Sequence, residues 1–373
     1  MADSVPGSPV ADGAEFQEQL LQSLNASEFA PSKQSLGPHG RQKYVYNKQG
    51  LRLATYWWPA QKPKGTVLIV HGHGSYVDYE YLKDQGLGKP PVYEGSWVER
   101  LNQAGYSCAA CDFQSHGRSE GRDGLRCYIK SFKDYVNDLE VVKDCCASEP
   151  GFDAPGQPKF LLAISLGGCV AVHFMHDNPG AVNGAVLLAP MLSLEKIAKS
   201  GLNPYLRPVA STISAIAPWL AVAATNKNTM YPELQDLWDA DPIVYRGMTR
   251  ARNASEYLSA SEFAVSDIMD KVSTPFMTVH SERDTMTDPD SSKMLYHRAA
   301  TKDKTLRLMN NMWHVLTKEE GSTMLLESVV RWYDDRVRPA GMIAAGKGGA
   351  AAGMEVEAVE GEAKTYDIAV GAA

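Results

Sequence analysis

The chain has 373 residues, of which 44% are hydrophobic and 22% charged, and its net charge at pH 7 is −7. This composition is typical of a folded globular protein, and the sequence has no run of 18 apolar residues that would span a membrane. The acidic balance, without a basic cluster carrying interleaved aromatic residues, argues against nucleic acid as a partner.

The N-terminal segment 1–36 is predicted to be a flexible tail. It is rich in Ser, Pro, Gly and acidic residues and has little helical or strand periodicity. Its first twenty residues lack the basic n-region and the apolar h-region of a secretory signal peptide. We therefore expect a cytoplasmic protein.

Five short apolar runs alternate with helical patterns along the rest of the chain. The runs are TVLIVHG (66–72), YSCAACDF (106–113), KFLLAIS (159–165), GAVLLAP (184–190) and TPFMTVHS (274–281). Helix candidates cover 97–104, 132–147 and 166–176. The alternation predicts an α/β fold with a mostly parallel sheet flanked by helices, in which active groups follow the carboxyl ends of strands.

Six cysteines are scattered along the chain, and Cys108 and Cys111 form the only C-x-x-C pair. The pair lies inside a strand-like run, whereas a structural zinc site normally takes four ligands and a redox pair usually begins a helix. We therefore predict core-packing thiols in a reducing compartment.

Residues 191–265 interrupt the alternation with prolines among helical apolar patches. We interpret this segment as a mainly helical cap inserted into a core that comprises 37–190 and 266–339. Residues 340–373 are biased to Ala, Gly, Glu and Val, which predicts a disordered low-complexity tail.

Ser165 is the candidate nucleophile, because it stands between an apolar strand and a helix that begins with Leu166. Such a strand-turn-helix elbow needs small residues two positions before and two after the serine. Gly167 fills the second position, and Ala163 occupies the first, where the usual pattern has glycine. The additional methyl group is expected to crowd the turn slightly.

The first strong strand runs directly into an H-G-x-G loop, residues 71–74. A loop of this kind brings a backbone N–H group close to the reacting carbonyl. The backbone N–H groups of His73 and Leu166 are therefore predicted to form an oxyanion hole, while the His71 side chain is expected to hydrogen-bond the loop backbone.

Asp284 and His314 complete a candidate triad in the chain order Ser, Asp, His that is typical of α/β hydrolases. His314 would take the proton of the serine hydroxyl, and Asp284 would fix its tautomer. Asp288 and Glu282 remain alternatives for the acid.

These segments resemble the monoacylglycerol lipase and lysophospholipase group of α/β hydrolases, including its plant-type members such as caffeoylshikimate esterase. The resemblance covers roughly residues 40–335 and depends on VLIVHGHGSY, CDFQSHGRSEG, AISLGG, DPIVYRGMTRAR, HSERDTMTDP and WHVLTKE. It implies the α/β-hydrolase fold, the same oxyanion and triad residues, and a structural role for the D-x-x-x-H-G-x-S segment that contains His116.

The resemblance also implies cleavage of monoacylglycerol or lysophospholipid acyl esters without a metal or organic cofactor. Hydroxycinnamoyl esters are an alternative substrate class, and a peptidase or an inactive binding protein of the same fold are further alternatives. Apolar cap residues are candidates to line an acyl site or to contact a lipid surface, although an apolar helical stripe is more often core packing than a ligand site; these residues are Tyr205, Ile213, Ile216, Trp219, Leu220 and Trp238. The sequence does not predict the oligomeric state.

Overall fold

The computed structural model describes residues 30–152, 156–194 and 212–337, together with the backbone of 353–357. The strands in chain order are β1 (Arg41–Tyr46), β2 (Arg52–Trp58), β3 (Gly65–Val70), β4 (Tyr106–Cys111), β5 (Lys159–Ile164), β6 (Gly184–Leu188), β7 (Ala221–Ala223), β8 (Thr249–Arg250), β9 (Phe276–Ser281), β10 (Lys304–Met309) and β11 (Gly353–Glu357).

Nine of these strands form one sheet, in the order β1-β2-β4-β3-β5-β6-β9-β10-β11, and β7 pairs separately with β8. Antiparallel pairs join β1 to β2 and β2 to β4, and all other neighbours in the large sheet run parallel. The predicted mostly parallel sheet is confirmed.

Helices lie between the strands, as the periodicity predicts. They are α1 (Lys33–Leu36), α2 (Val77–Tyr81), α3 (Trp97–Gln103), α4 (Lys133–Cys145), α5 (Leu166–Asp177), α6 (Pro232–Ala240), α7 (Ala251–Phe263), α8 (Pro289–Arg298) and α9 (Ser322–Val337). Residues 212–216 are also helical. Among the described residues, no helix combines the length and the apolar character needed to cross a bilayer.

Each face of the sheet has its own apolar core. In β3, Val67 and Ile69 belong to one cluster, and Leu68 and Val70 belong to the other. Successive strand residues point to opposite faces, so a strand covered on both sides is apolar throughout. This explains why the central strands are unbroken apolar runs.

The C-x-x-C cysteines follow the same geometry. Cys108 packs in one core and Cys111 in the other, because three positions along a strand reverse the face. Both thiols are free and buried, and burial raises the pKa of each. The prediction of core-packing thiols is confirmed.

The predicted cap leaves the sheet after β6 and returns at β9. Its described part contains α6, α7 and a short ribbon of β7 and β8. The helices agree with the expected helical cap, whereas the ribbon was not predicted. Tyr257 and Ala260 of α7 are buried in one of the two cores. The division between cap and core at residue 265 is therefore not sharp, since the last cap helix packs on the sheet.

Both predicted tails contain a structured element. Ser35 of α1 is buried and donates a hydrogen bond of 2.6 Å to the Pro91 carbonyl, so the core begins before residue 37. Gly353–Glu357 pairs in parallel with β10, which corrects the prediction of disorder for these five residues. A strand needs only an open sheet edge for its backbone, which compositional bias does not exclude.

Candidate active site

Ser165 occupies a sharp turn between β5 and α5. Its φ is 54° and its ψ is −121°, a region that residues with side chains rarely adopt. Three backbone hydrogen bonds of 2.9 Å hold the turn: Ser165 N–H donates to the Leu188 carbonyl, and its own carbonyl accepts from Gly168 and Met191. The surrounding backbone therefore over-determines this strained conformation.

Small residues after the serine are a steric requirement. A Cβ atom on Gly167 would lie 2.6 Å from the His71 carbonyl oxygen, and one on Gly168 would lie 2.5 Å from Pro190 Cβ. Ala163, at the position where the elbow pattern has glycine, is fully buried in the apolar core. Its methyl group is thus accommodated as core, and Ser165 still adopts the elbow conformation.

The structure brings Ser165, His314 and Asp284 together. His314 Nε2 lies 3.0 Å from Ser165 Oγ, and His314 Nδ1 lies 2.7 Å from Asp284 Oδ2. Ser165 and His314 are 149 positions apart in sequence. One imidazole therefore bridges a hydroxyl and a carboxylate, an arrangement that can move a proton from the hydroxyl.

The electrostatics of this bridge favour a charged carboxylate beside an imidazole. Burial disfavours the protonated form of His314, but the negative charge of Asp284 and the hydrogen bond to it outweigh burial and raise the pKa of His314. Burial alone would raise the pKa of Asp284, yet the electrostatic interactions and hydrogen bonds with His314 and His280 lower it. Asp284 is therefore ionised at neutral pH.

Asp284 is held by more groups than its position in the sequence suggests. Its Oδ1 accepts from the backbone N–H groups of Met286 and Thr287, at 2.7 and 3.0 Å. Its Oδ2 also accepts from the Thr287 hydroxyl at 2.8 Å. The turn after β9 thus holds the Asp284 carboxylate in place independently of the imidazole rings beside it.

His280, a residue that sequence reasoning missed, is a second imidazole beside Asp284. Its Nε2 lies 3.2 Å from Asp284 Oδ2, and its Nδ1 lies 2.8 Å from Ser292 Oγ. Burial lowers the pKa of His280, so the ring is neutral and donates from Nε2 while Nδ1 accepts from the Ser292 hydroxyl. Its only sequence signal is its place in the last two residues of a buried strand.

The two alternative acids serve other purposes. Asp288 is the N-cap of α8, and its side chain accepts from the Asp290 N–H at 3.1 Å. Glu282 is exposed and lies 3.6 Å from Lys293 Nζ. Of the three candidates, only Asp284 lies beside His314.

Glu319 holds the loop that carries His314, and sequence reasoning missed it as well. Its carboxylate accepts from the backbone N–H groups of Trp313, His314 and Val315, at 2.6, 2.9 and 2.6 Å. Burial raises the pKa of Glu319, and these three N–H groups counteract that rise. The side chain closes a loop that has no regular secondary structure of its own.

The H-G-x-G loop lies directly beside the nucleophile. A Cβ atom on Gly72 would be 3.3 Å from Ser165 Cβ. His71 donates from Nδ1 to the Gly72 carbonyl at 2.8 Å and accepts at Nε2 from the Phe113 N–H at 2.9 Å. The expected structural role of His71 is thus observed. His73 directly follows Gly72 in the loop, and Leu166 is the first residue of α5 after the serine.

Glu80, which was not predicted as a site residue, places its carboxyl group beside Gly72 of the H-G-x-G loop. The missing Cβ of Gly72 would lie 3.4 Å from Glu80 Oε1. Burial raises the pKa of Glu80, while a hydrogen bond from Ser75 and the charges of Lys318 and His314 lower it. Its negative charge in turn adds to the rise in the pKa of His314.

The D-x-x-x-H-G-x-S segment is structural. Asp112 accepts from the backbone N–H groups of Val77 and Arg118, at 3.0 and 2.8 Å, and from the Tyr56 hydroxyl at 2.8 Å. A Cβ atom on Gly117 would lie 2.2 Å from Asp112 Oδ2. The segment therefore anchors the loop after β3 and takes no direct part in the bridge between Ser165 and Asp284.

The predicted cap residues differ in exposure. Ile216, Trp219 and Leu220 are 73%, 56% and 47% exposed, and Ile213 is partly buried. Trp238 lies over the H-G-x-G loop, 3.3 Å from the Cβ position that Gly74 lacks. Tyr205 lies outside the described residues.

The sequence is similar to those of known proteins. Residues 61–321 match the family described as Hydrolase_4, serine aminopeptidase S33. Caffeoylshikimate esterase of Arabidopsis thaliana is 30% identical over 288 residues, which cover 74% of this chain and 80% of the relative. Monoglyceride lipase of Homo sapiens is 24% identical over 310 residues, which cover 82% of this chain and 94% of that protein.

Solved structures show the same architecture. A soluble variant of monoglyceride lipase from Saccharomyces cerevisiae, in complex with a substrate analog, matches with a TM-score of 0.65 at 16% identity. The match covers 83% of this chain and 100% of that chain. At this identity the match establishes a common fold.

Proposed function

The chain belongs to the Hydrolase_4 (serine aminopeptidase, S33) family of α/β hydrolases, and we propose that it cleaves carboxylic esters through an acyl-enzyme formed on Ser165. The observation that carries the proposal is the position of His314 between Ser165 Oγ and Asp284, with distances of 3.0 and 2.7 Å. Hydrogen bonds on both ring nitrogens orient the imidazole for proton transfer.

In the acylation step Ser165 Oγ attacks the ester carbonyl while its proton passes to His314 Nε2. Asp284, ionised and hydrogen-bonded to Nδ1, stabilises the imidazolium that forms. His314 then gives the proton to the leaving alkoxide, and the acyl group remains on the serine. Water attacks the acyl-enzyme by the same route and releases the carboxylic acid.

The negative charge that develops on the carbonyl oxygen needs donors in fixed positions. We assign this role to the backbone N–H groups of His73 and Leu166. The second belongs to the N-terminal turn of α5, where the helix dipole also favours negative charge. Gly72 allows the loop to approach the serine, since its missing Cβ would lie 3.3 Å from Ser165 Cβ.

Monoacylglycerol and lysophospholipid acyl esters are the substrates that we propose first. The support is the likeness to monoglyceride lipases of human and yeast together with exposed apolar side chains on the cap, namely Ile216, Trp219 and Leu220. A cap with such side chains suits an acyl chain presented from a lipid surface. We therefore also propose a peripheral contact between the cap and membranes.

Hydroxycinnamoyl esters are the second candidate class. The observation that favours them is the 30% identity to caffeoylshikimate esterase, which is higher than the 24% identity to human monoglyceride lipase. The same triad would act on either substrate class. Both classes present the same reacting ester carbonyl and differ only in the acyl and alcohol groups attached to it.

A substrate panel with a chemical probe tests these proposals. The purified protein should react with a fluorophosphonate, and Ser165→Ala should abolish the labelling and lower ester turnover by roughly 10⁴ to 10⁶. The panel comprises monoacylglycerols, lysophospholipids, hydroxycinnamoyl shikimates and aminoacyl amides. A Ser165→Ala variant that retained several per cent of turnover would contradict the nucleophile, and cleavage of the amides alone would contradict esterase activity.

A further inference from the structure

Three side chains that ester cleavage does not use converge behind the H-G-x-G loop. A ring nitrogen of His73, a ring nitrogen of His116 and Cys127 Sγ all lie within 4.8 Å of one another. They come from the H-G-x-G loop, from the D-x-x-x-H-G-x-S segment and from the stretch that leads to α4. Two imidazoles with a thiol are a ligand set that suits zinc.

His116 provides the clearest sign that a ligand belongs here. Its Nδ1 lies 3.1 Å from the Gln114 carbonyl oxygen, and because a carbonyl only accepts, Nδ1 carries the proton. Nε2 therefore holds a lone pair, and it is buried without a hydrogen-bond partner among the described residues. A carbonyl that fixes the tautomer from behind is the usual support of a metal-binding histidine.

His73 and Cys127 are the other two members of the cluster. The Tyr257 hydroxyl lies 3.0 Å from His73 Nδ1, Thr249 Oγ1 lies 3.5 Å from His73 Nε2, at the long limit of a hydrogen bond, and Cys127 adopts the left-handed backbone region with a φ of 46°. Burial lowers the pKa of His73 to about 4 and keeps the ring neutral, the form that binds metal. Burial also raises the pKa of Cys127 to about 12, so the free thiol is protonated.

We propose that His73, His116 and Cys127 bind a divalent metal ion of the zinc class at a site separate from the ester-cleaving residues. Binding forms bonds from the metal to two imidazole nitrogens and to sulfur, and the Cys127 proton passes to solvent. Ligand atoms around a tetrahedral zinc lie roughly 3.3 to 3.6 Å apart. Because the ligand atoms lie within 4.8 Å of one another, small side-chain rotations that shorten a separation by at most about 1.5 Å bring them to this spacing, and water fills the fourth position.

His73 is the partly exposed member of the cluster, so the ion would enter from its side. A bound ion would also restrain the loop whose His73 N–H we assign to the oxyanion hole. Metal binding is thus expected to change ester turnover. This expected change in turnover depends on the proposed function, whereas the proposal that the cluster binds metal does not.

Cobalt is the probe that reports the ligand set directly. Titration of the wild-type chain with Co²⁺ should produce one equivalent of a tetrahedral d–d spectrum with a thiolate-to-cobalt charge-transfer band, and Zn²⁺ should displace it. The charge-transfer band should disappear in Cys127→Ala, and both features should weaken in His116→Gln. Cys108→Ala is the matched control, because Cys108 is an equally buried free cysteine that packs in an apolar core of the sheet and is not a member of the cluster.

Different outcomes separate the binding site from its effect on catalysis. A wild-type chain without the charge-transfer band, or a band that persists in Cys127→Ala, overturns the proposal. Inhibition by Zn²⁺ of equal strength in wild type and Cys127→Ala assigns the inhibition to the triad and contradicts the expected effect of the bound ion on turnover, while the cobalt spectrum alone decides whether the cluster binds metal. If Cys127→Ala does not fold, as judged by circular dichroism, His116→Gln provides the same comparison.

Discussion

His280 donates a hydrogen bond to Asp284, with 3.2 Å between Nε2 and Oδ2. The donor comes from the end of β9 and reaches the same oxygen that accepts from His314 Nδ1. A carboxylate that accepts from two neutral rings keeps its charge inside the protein, because each hydrogen bond to the charged form lowers its pKa. In the proposed reaction we therefore assign His280 a positioning role that acts through Asp284.

Replacement of His280 by leucine tests this positioning role. A buried carboxylate that loses a donor binds its remaining partner more strongly, so the pKa of His314 should rise and the acidic limb of kcat/KM should move to higher pH. Turnover should fall by roughly 10- to 150-fold at unchanged KM, for a loss of about 1.5–3 kcal/mol. His280→Gln keeps an N–H donor and should restore most of the turnover and reverse most of the shift in the pH profile. Equal losses of turnover in His280→Leu and His280→Gln would argue that His280 serves packing.

Asp284→Asn should lower turnover by about 10⁴, because the amide favours the wrong tautomer of His314. Asp288→Asn is the matched control. Asp288 caps α8, so its variant should lose at most about 1 kcal/mol of unfolding free energy and keep its turnover. Steady-state kinetics measure the turnover of both variants, and urea denaturation measures their unfolding free energy. Loss of turnover in Asp288→Asn but not in Asp284→Asn would identify Asp288 as the acid of the triad.

The pH dependence of kcat/KM should show a limb that reports His314. The ring must be neutral to accept the serine proton, so activity is lost as pH falls through its pKa. Asp284, Glu319 and Glu80 raise that pKa above the ordinary value of 6.5, which places the midpoint above pH 6.5. Initial rates with a short soluble ester give the profile, and a midpoint well below this value would contradict the arrangement.

Glu319→Gln should lower both turnover and stability. An amide offers one acceptor oxygen where the carboxylate accepts three backbone N–H groups, at 2.6, 2.9 and 2.6 Å. We expect a loss of at least about 1.5 kcal/mol of unfolding free energy and a less ordered His314 loop. Glu320→Gln, at the exposed neighbouring position, should change neither quantity; comparable effects of the two substitutions would exclude a specific role for Glu319.

Trp219→Ser should weaken kcat/KM for long acyl chains and spare an acetate ester. Each buried methylene of the chain contributes about 0.8 kcal/mol. Trp219 is 56% exposed, so its replacement should change the unfolding free energy by no more than about 0.5 kcal/mol. A series of acyl lengths decides it: equal loss for all chains would indicate a general structural effect, and an unchanged series would place the acyl site elsewhere.

The family resemblance and the fold were predictable from the sequence, and both are confirmed. Continuous apolar runs such as VLIV in β3 identify strands buried on both faces, and local motifs identify the turns that follow them. Ser165, Asp284 and His314 each follow such a motif, which is why they could be chosen before their distances were known.

Other contacts could not be predicted because they depend on loop conformation or on the packing of distant segments. His280 and Glu319 lie only four and five positions from Asp284 and His314, but the hydrogen bonds between them form across irregular turns, where no helix or strand period brings the side chains together. His116, Cys127 and His73 meet only because three loops converge behind the sheet edge. The pairing of β11 with β10 was not predicted for a similar reason. β11 forms because β10 offers an open sheet edge, and the composition of residues 353–357 does not indicate a strand.

The neighbouring positions of β6 and β9 have an evolutionary consequence. The cap segment begins after β6 and ends before β9, and these strands pair directly, with Ala185 opposite Phe276. Because the two strands are parallel, the segment runs from the carboxyl end of β6 to the amino end of β9, and both of its ends are fixed by the sheet. An inserted segment between fixed ends costs little more free energy as it lengthens. Lineages can therefore replace this segment up to α7 while they inherit the sheet and the residues at its edge unchanged, so substrate choice and reaction chemistry can evolve at different rates.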